Sequence, residues 1–163
     1  MRQSKEKKFE KIYSDYKDTV FCISIMYLKD YQLAEDASQE VFIKILKKLG
    51  SLKDEKKTKA WISKITINIC RDKLKHKSRR EIPIEKLPEA EAESVSEIDQ
   101  LTVGEAIGRL APELREIIIL YYYQSFTLNE ISEMLKIPLS TTAYRLRTAK
   151  AQLKEYLKED FDE

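Results

Sequence analysis

The chain has 163 residues, room for one ordinary domain or two small ones. Apolar residues make up 42% and charged residues 36%, enough for a core beneath a heavily charged surface, and a net charge of +2 exerts no global pull on polyanions. With three glycines, four prolines and one histidine, the composition argues against a turn-rich β fold and against most enzyme templates.

The first predicted element is a helix over residues 4–29, with Phe9, Ile12, Tyr13, Tyr16, Val20, Ile23 and Tyr27 at helical spacing. A second helix follows over 31–49. Leu33, Ala37, Val41, Ile45 and Leu49 line its core side, and Gly50 is expected to stop it. After a polar loop at 51–57, Thr58 is expected to cap a third helix carrying Trp61, Ile62, Ile65, Ile69 and Leu74. Residues 81–99 change character: two prolines and seven acidic residues stand against one lysine, and no helical stripe persists. This stretch reads as an acidic linker without a core of its own. A second helical block begins with Leu101, Ile107 and Leu110. Pro112 suits the first position of the next helix, where a missing N–H costs nothing, and 117–123 is a dense apolar run. Thr127 and Glu130 form a T-x-x-E capping box before a short helix over 128–136. A turn through Ile137 and Pro138 leads to Ser140, the expected cap of a last long helix. The expected fold class is therefore all-α, as two small helical domains joined by the linker.

Cys22 and Cys70 lie in apolar helical patterns with no C-x-x-C, so free thiols in a reducing compartment are expected. The charged start has no apolar signal region behind it, and the richest apolar run, 19–28, is too short to span a bilayer. A cytoplasmic protein without membrane insertion is the expectation. No Ser/His/Asp set, Gly-rich phosphate loop or metal-ligand spacing occurs, so no catalytic residue, metal or cofactor is expected.

Three stretches carry chemistry. Residues 126–153 have the short helix, turn and longer helix of a helix-turn-helix, closed by Ile131, Leu135, Ile137, Leu146, Ala149 and Leu153. The outer face of the second helix presents Thr141, Tyr144, Arg145 and Thr148, flanked by Arg147, Lys150 and Lys154. A helix so furnished fits a major groove, where arginine can grip guanine in bidentate fashion. Second, residues 71–80 hold six Lys or Arg against one Asp, with His76 as a solvated bystander. That run suits a phosphate-tracking surface, and Trp61 beside a Lys-rich loop suits unstacked bases. Third, Asp36, Gln39, Glu40 and Ile43 share a face away from the core stripe of the second helix, a combination suited to docking a helical partner. Each stretch also has a plainer reading, as a solvated helix face or, for Trp61, as core.

In order and spacing these stretches resemble the extracytoplasmic-function (ECF, group IV) sigma factors of the sigma-70 family. A-E-D-A-S-Q-E-V-F-I-K-I-L (34–46) resembles their core-polymerase-binding region 2.2. W-I-S-K-I-T-I-N-I-C-R-D-K-L-K-H-K-S-R-R (61–80) resembles regions 2.3 and 2.4, with Trp61, Ile65, Asn68, Asp72 and Arg79 in matching spacing. L-A-P-E-L-R-E-I-I-I-L-Y-Y-Y (110–123) resembles region 4.1 and the helix-turn-helix region 4.2, so the likeness spans about residues 9–157. It implies a sigma-2-like domain at 1–80, the acidic linker at 81–99 and a sigma-4-like domain at 100–163. It implies a non-enzymatic subunit that directs core RNA polymerase to specific promoters and aids melting, in an envelope or stress response. The implied partners are promoter DNA and core polymerase, through its β′ clamp helices and β flap; an anti-sigma factor is a further partner the resemblance allows. Carried over residue by residue, Asp36, Gln39, Glu40 and Ile43 would bind core polymerase. Lys56, Trp61, Asn68, Asp72, Lys75, Arg79 and Arg80 would meet the −10 element. Thr141, Tyr144, Arg145, Arg147, Thr148 and Lys150 would meet the −35 element. The recognition helix departs from the family's usual G-T-V-K-S-R start. It reads Ser140, Thr141, Thr142, Ala143, Tyr144, Arg145, with Thr148 where a later Arg is common, so two positive charges are absent and no promoter sequence is implied.

The alternative is a stand-alone helix-turn-helix regulator with an N-terminal dimerisation domain, reading a palindrome without polymerase. Two separate DNA-facing surfaces joined by an acidic connector speak against it. A structural adaptor with no DNA role is a third reading, distinguished by the absence of salt-dependent DNA binding.

Overall fold

A computed structural model describes the backbone of residues 2–80 and 98–161, and the side chains of 4–77 and 103–158. The expected linker lies outside the described residues as far as position 97, as do the side chains of Arg79 and Arg80. Among the described residues the regular structure is entirely helical.

Helix α1 (Arg2–Leu28) buries Ile12, Val20, Ile23 and Tyr27. Tyr13, expected on that face, is exposed and meets Phe42 edge-on instead, with ring centroids 4.8 Å apart. Lys29 ends the helix in the left-handed region at φ 57°, donating its N–H to Ile25 O. Asp30 then starts α2 (Tyr31–Lys47) by accepting the Leu33 N–H at 3.0 Å, an N-cap that the apolar spacing alone does not reveal. Helix α2 does not stop on Gly50: no described glycine has a positive φ, and the chain tightens into a 3₁₀ turn, Leu49–Ser51. That turn keeps the Leu49 side chain in the core, which a simple left-handed exit at Gly50 does not explain. Thr58 is likewise not a cap. Its backbone is already helical, and its hydroxyl donates to Glu55 O at 2.8 Å, while Asp54 caps the preceding 3₁₀ turn, Glu55–Lys57.

Helix α3 (Thr58–Arg80) buries Ile62, Ile65, Ile67, Ile69 and Cys70, more than one stripe can hold. Further along, α4 (Ile98–Arg109) leads to α5 (Pro112–Ile118), which has Pro112 in its first turn as expected. The apolar run continues as a π turn, Ile119–Tyr123, where the Gln124 N–H reaches Ile119 O at 3.1 Å. Ile117, Ile118, Ile119 and Leu120 are all buried there. Each contributes about 1.5–3 kcal/mol by burial. Helix α6 (Leu128–Leu135) has both bonds of the capping box, Glu130 N–H to Thr127 Oγ1 at 3.1 Å and Thr127 N–H to Glu130 Oε1 at 2.8 Å. Ser140, expected as the cap of α7 (Leu139–Phe161), lies inside its first turn; the Pro138 carbonyl takes the first helical bond, from Thr142 N–H at 3.0 Å.

Helices α1, α2 and α3 pack mutually, and α7 packs on α4, α5 and α6. The two groups also touch. Helix α3 meets α6, and α1 meets α4 and α5, so one continuous cluster of buried side chains runs through both. That second set of neighbours explains the excess burial on α3.

Candidate nucleic-acid interface

The helix-turn-helix core closes as its apolar spacing requires. Ile131, Leu146 and Ala149 are buried, and Leu135, Ile137 and Leu153 pack against them. The Ser132 hydroxyl donates to Ile137 O at 2.6 Å, and Lys136 takes the left-handed conformation, together shaping the turn. On α7, Tyr144 is 60% exposed and Arg147 and Lys150 stand in solvent. Thr141, Arg145 and Thr148 are half-buried. Arg145 turns inward, where it lines a cleft of about 610 Å³ together with Arg71, Leu74 and Lys75 of α3 and Glu113 and Glu116 of α5.

On α3, positions 61, 68, 72 and 75 fall on one face by helical geometry. Asn68, Asp72 and Lys75 are exposed there, whereas Trp61 packs against the core. Asn68 Oδ1 accepts a long 3.4 Å contact from Arg71 Nη1. Lys56 projects from the 3₁₀ turn before the helix. The surface therefore offers a polar and cationic strip with an aromatic at one end, half-sunk.

The four residues singled out on α2 share one side of the helix but have different neighbours. Gln39 and Ile43, the latter 55% exposed, line an apolar groove against α1 with Phe9, Tyr13, Phe42 and Leu46. Asp36 and Glu40 lean the other way: Glu40 pairs with Lys73 of α3 at 2.5 Å, and Asp36 accepts from Gln32 Nε2 at 3.4 Å.

A polar cluster between the two helical groups goes beyond anything the sequence motifs predict. Glu116 of α5 is 3% exposed. Its carboxylate accepts the Tyr27 hydroxyl at 2.8 Å and a two-pronged grip from Arg71, Nε on Oε2 and Nη2 on Oε1, both at 2.8 Å. Burial, with Glu116 beside it, pushes the Tyr27 phenol far up, and the hydrogen bonds to Glu116 raise Arg71. Neighbouring Arg115 is also buried and donates to Tyr27 O, Gly108 O and Leu110 O; burial lowers its pKa. Lys29 Nζ donates to Gly104 O at 2.7 Å and Lys59 Nζ to Gln124 O at 2.8 Å, so both groups of helices contribute to each link. The available signal is local: Arg115 and Glu116 stand directly before four buried apolar residues, an unusual position for two adjacent charges. Both cysteines are free, and burial pushes the Cys70 thiol up to about 12.

A helix-turn-helix beside a second helical unit with a basic, aromatic-ended strip defines a DNA-binding transcription protein. Residues 12–80 match the family described as sigma-70 region 2, and residues 106–155 match sigma-70, region 4. The chain belongs to the sigma-70 family and is an RNA polymerase sigma factor of the ECF type, a non-enzymatic transcription initiation factor. It is 32% identical over 133 residues to the RNA polymerase sigma factor SigZ of Bacillus subtilis, covering 80% of this chain and 76% of that one. It is 25% identical over 169 residues to the ECF RNA polymerase sigma factor SigW of the same organism, covering 93% and 89%. Among solved structures, the sigma factor RpoE in complex with the anti-sigma factor NepR, from Bartonella quintana, shares the fold. The TM-score is 0.76 at 20% identity over 93% of this chain and 98% of that one. Among the described residues no helix is long and apolar enough to cross a membrane.

Proposed function

We propose that α7 reads the −35 element as duplex, that the outer face of α3 meets the −10 element, and that α2 docks on core polymerase. The observation that carries this reading is the face of α7, where Tyr144, Arg147 and Lys150 project from a helix whose other side, Leu146 and Ala149, is buried. Thr141, Arg145 and Thr148 complete the groove-reading stripe, and Arg147 and Lys150 hold phosphates. Lys56, Trp61, Asn68, Asp72, Lys75, Arg79 and Arg80 serve the −10 strand, with Trp61 acting from the edge of the core. Gln39 and Ile43 supply the apolar contact to the β′ clamp, and Asp36 and Glu40 its acidic margin.

In this reading residues 1–80 and 100–163 are the two working units. The acidic stretch 81–99 joins them along a path suited to receive a polyanion. The place of action is the cytoplasm. An anti-sigma factor is a further partner, supported by the fold shared with RpoE bound to NepR and with CnrH bound to the cytosolic domain of CnrY. Run-off transcription with core polymerase on a genomic promoter library tests the whole reading. Promoter-specific transcripts that require the chain are expected. Tight sequence-specific DNA binding by a dimer without polymerase would instead favour the stand-alone regulator.

A further inference from the structure

Apolar side chains stand in the open at the start of α7, where a helix-turn-helix meets base edges. Leu139 is 47% exposed, Tyr144 is 60% exposed, and Ala143 is half-buried. Leu139, Ala143, Arg147 and Lys150 follow one another at steps of four, four and three residues, so they share one side of the helix. The stripe is apolar at its N-terminal end and cationic further on. It flanks the buried Leu146 and Ala149 on one side, as Thr141 and Arg145 do on the other. Leu139 and Ala143 also line an open cleft of about 740 Å³ with Tyr121 and Phe126 of the preceding turn and Leu128 and Asn129 at the start of α6. Neither Leu139 nor Ala143 belongs to the stripe expected from the sequence.

The occupant follows from charge and chemistry. No carboxylate occurs on α7 before Glu155, and Arg147 and Lys150 stand exposed beside the apolar pair. The surface therefore suits a polyanion that carries an apolar feature, rather than a protein surface of mixed charge. Duplex DNA has such a feature in the major groove, the 5-methyl group of thymine, which cytosine lacks. The side chains of Leu139 and Ala143 can cover a methyl group and have nothing to donate to the acceptors of guanine. Ala143 occupies the place of the lysine in G-T-V-K-S-R, so here a cation is exchanged for a methyl-sized apolar surface.

We propose that Leu139 and Ala143, with the ring of Tyr144, form a thymine-methyl subsite that sets base preference within the −35 element. The proposal deepens the assignment of α7 to that element and rests on it. Leu139 and Ala143 supply the apolar cover, Tyr144 closes it from the adjoining face, and Arg147 and Lys150 hold the flanking phosphates. Taking one methyl group out of water favours thymine by about fourfold in affinity.

The test uses holoenzyme assembled with core polymerase. Promoters with a randomised −35 element are selected by run-off transcription. Each thymine of the selected element, on either strand, is then replaced by deoxyuridine, which pairs as thymine does and lacks the methyl group. Competition binding should weaken about fourfold at one or two positions. Leu139→Ala and Ala143→Ser should each bring that ratio towards one, whereas Lys150→Ala should weaken binding overall and leave the ratio unchanged. Circular dichroism checks folding, and if one variant loses helicity the other decides. A selected element without thymine, or uracil tolerated at every position, overturns the subsite and leaves the −35 assignment standing. A uracil penalty undiminished in both variants overturns it as well, because the methyl group then acts through DNA shape. Weakened binding of core polymerase by Leu139→Ala in the absence of DNA would make the cleft a protein dock and overturn the subsite. Failure to select any −35 sequence sinks the −35 assignment itself, and the subsite with it.

Discussion

Replacing Arg115 by methionine tests how the second helical group holds itself together. The guanidinium is buried and donates to Gly108 O at 2.7 Å and Leu110 O at 3.0 Å, the carbonyls that close α4, and reaches Tyr27 O on α1. Methionine keeps much of the length and none of the donors. Three carbonyls would then lose a charged partner, at about 1.5–3 kcal/mol for each such bond. Against this, removing a buried cation relieves its desolvation, which amounts to several kcal/mol per ion; the lowered pKa of Arg115 has the same origin. The net expectation is destabilisation by about 2–4 kcal/mol. With a urea slope of about 2 kcal/mol per molar, the midpoint should fall by about 1–2 M. Far-ultraviolet circular dichroism follows both groups of helices, whereas the single tryptophan, Trp61, reports on the first. The dichroism midpoint should therefore move further than the Trp61 emission midpoint. Arg115→Lys, able to serve one carbonyl at a time, should fall between. A dichroism midpoint within about 0.3 M of the parent, or a larger shift in the Trp61 signal, would refute the reasoning.

Three other outcomes rest on Cys70, on Ile43 and on the outer face of α7. Burial pushes the Cys70 thiol from its ordinary value of 9.0 up to about 12, so its contribution is complete below pH 9 and is lost as pH rises from 9 to 12. At 1.36 kcal/mol per pH unit that loss is about 4 kcal/mol, and Cys70→Ala should flatten the alkaline fall in urea-measured stability, whatever it does to the baseline. Ile43→Glu should leave the melting temperature nearly unchanged, because the side chain is 55% exposed, while weakening core polymerase binding at least tenfold in fluorescence titration. With holoenzyme, Arg145→Ala should relax preference at one −35 base pair by about 1–3 kcal/mol, whereas Lys150→Ala should weaken all promoters evenly and reduce the salt slope by about one. The reverse pattern would mean that α7 lies differently in the groove.

Local chemistry is legible where one short motif decides the outcome. The capping box of Thr127 and Glu130 and the helix-opening Pro112 each need only neighbours within a turn. Termini are less legible where several residues compete: the 3₁₀ turn Leu49–Ser51, Asp54 and Pro138 take roles for which Gly50, Thr58 and Ser140 look equally suited, because burial of Leu49 and the docking of α7 decide the exit angles. The half-burial of Arg145 against α3 and α5 is set by tertiary contact, but the buried side of α7 at Leu146 and Ala149 is readable from helical geometry alone. The division of the α2 patch is not, because Glu40 is drawn to Lys73, 33 positions away. Glu116 lies furthest from reach. Its partners stand 45 and 89 positions off in the chain, and no periodicity announces a polar contact that only tertiary closure creates.

The π turn at Ile119–Tyr123 makes the chain's geometry depend on counting. Its wider ring holds more residues than the α-helix before it, and that phase sets the direction of the downstream chain, including the Phe126 N–H that returns to Leu120 O. An i→i+5 ring takes up one more residue than an α turn, so the run absorbs that residue without carrying the downstream chain round by the roughly 100° that one residue adds in an α-helix. Tyr122 and Tyr123, both exposed, can vary in identity. Their number can change by one as well, since a single-residue deletion in this turn returns it to α winding, whereas a deletion within α5 would carry everything after it round by about 100°.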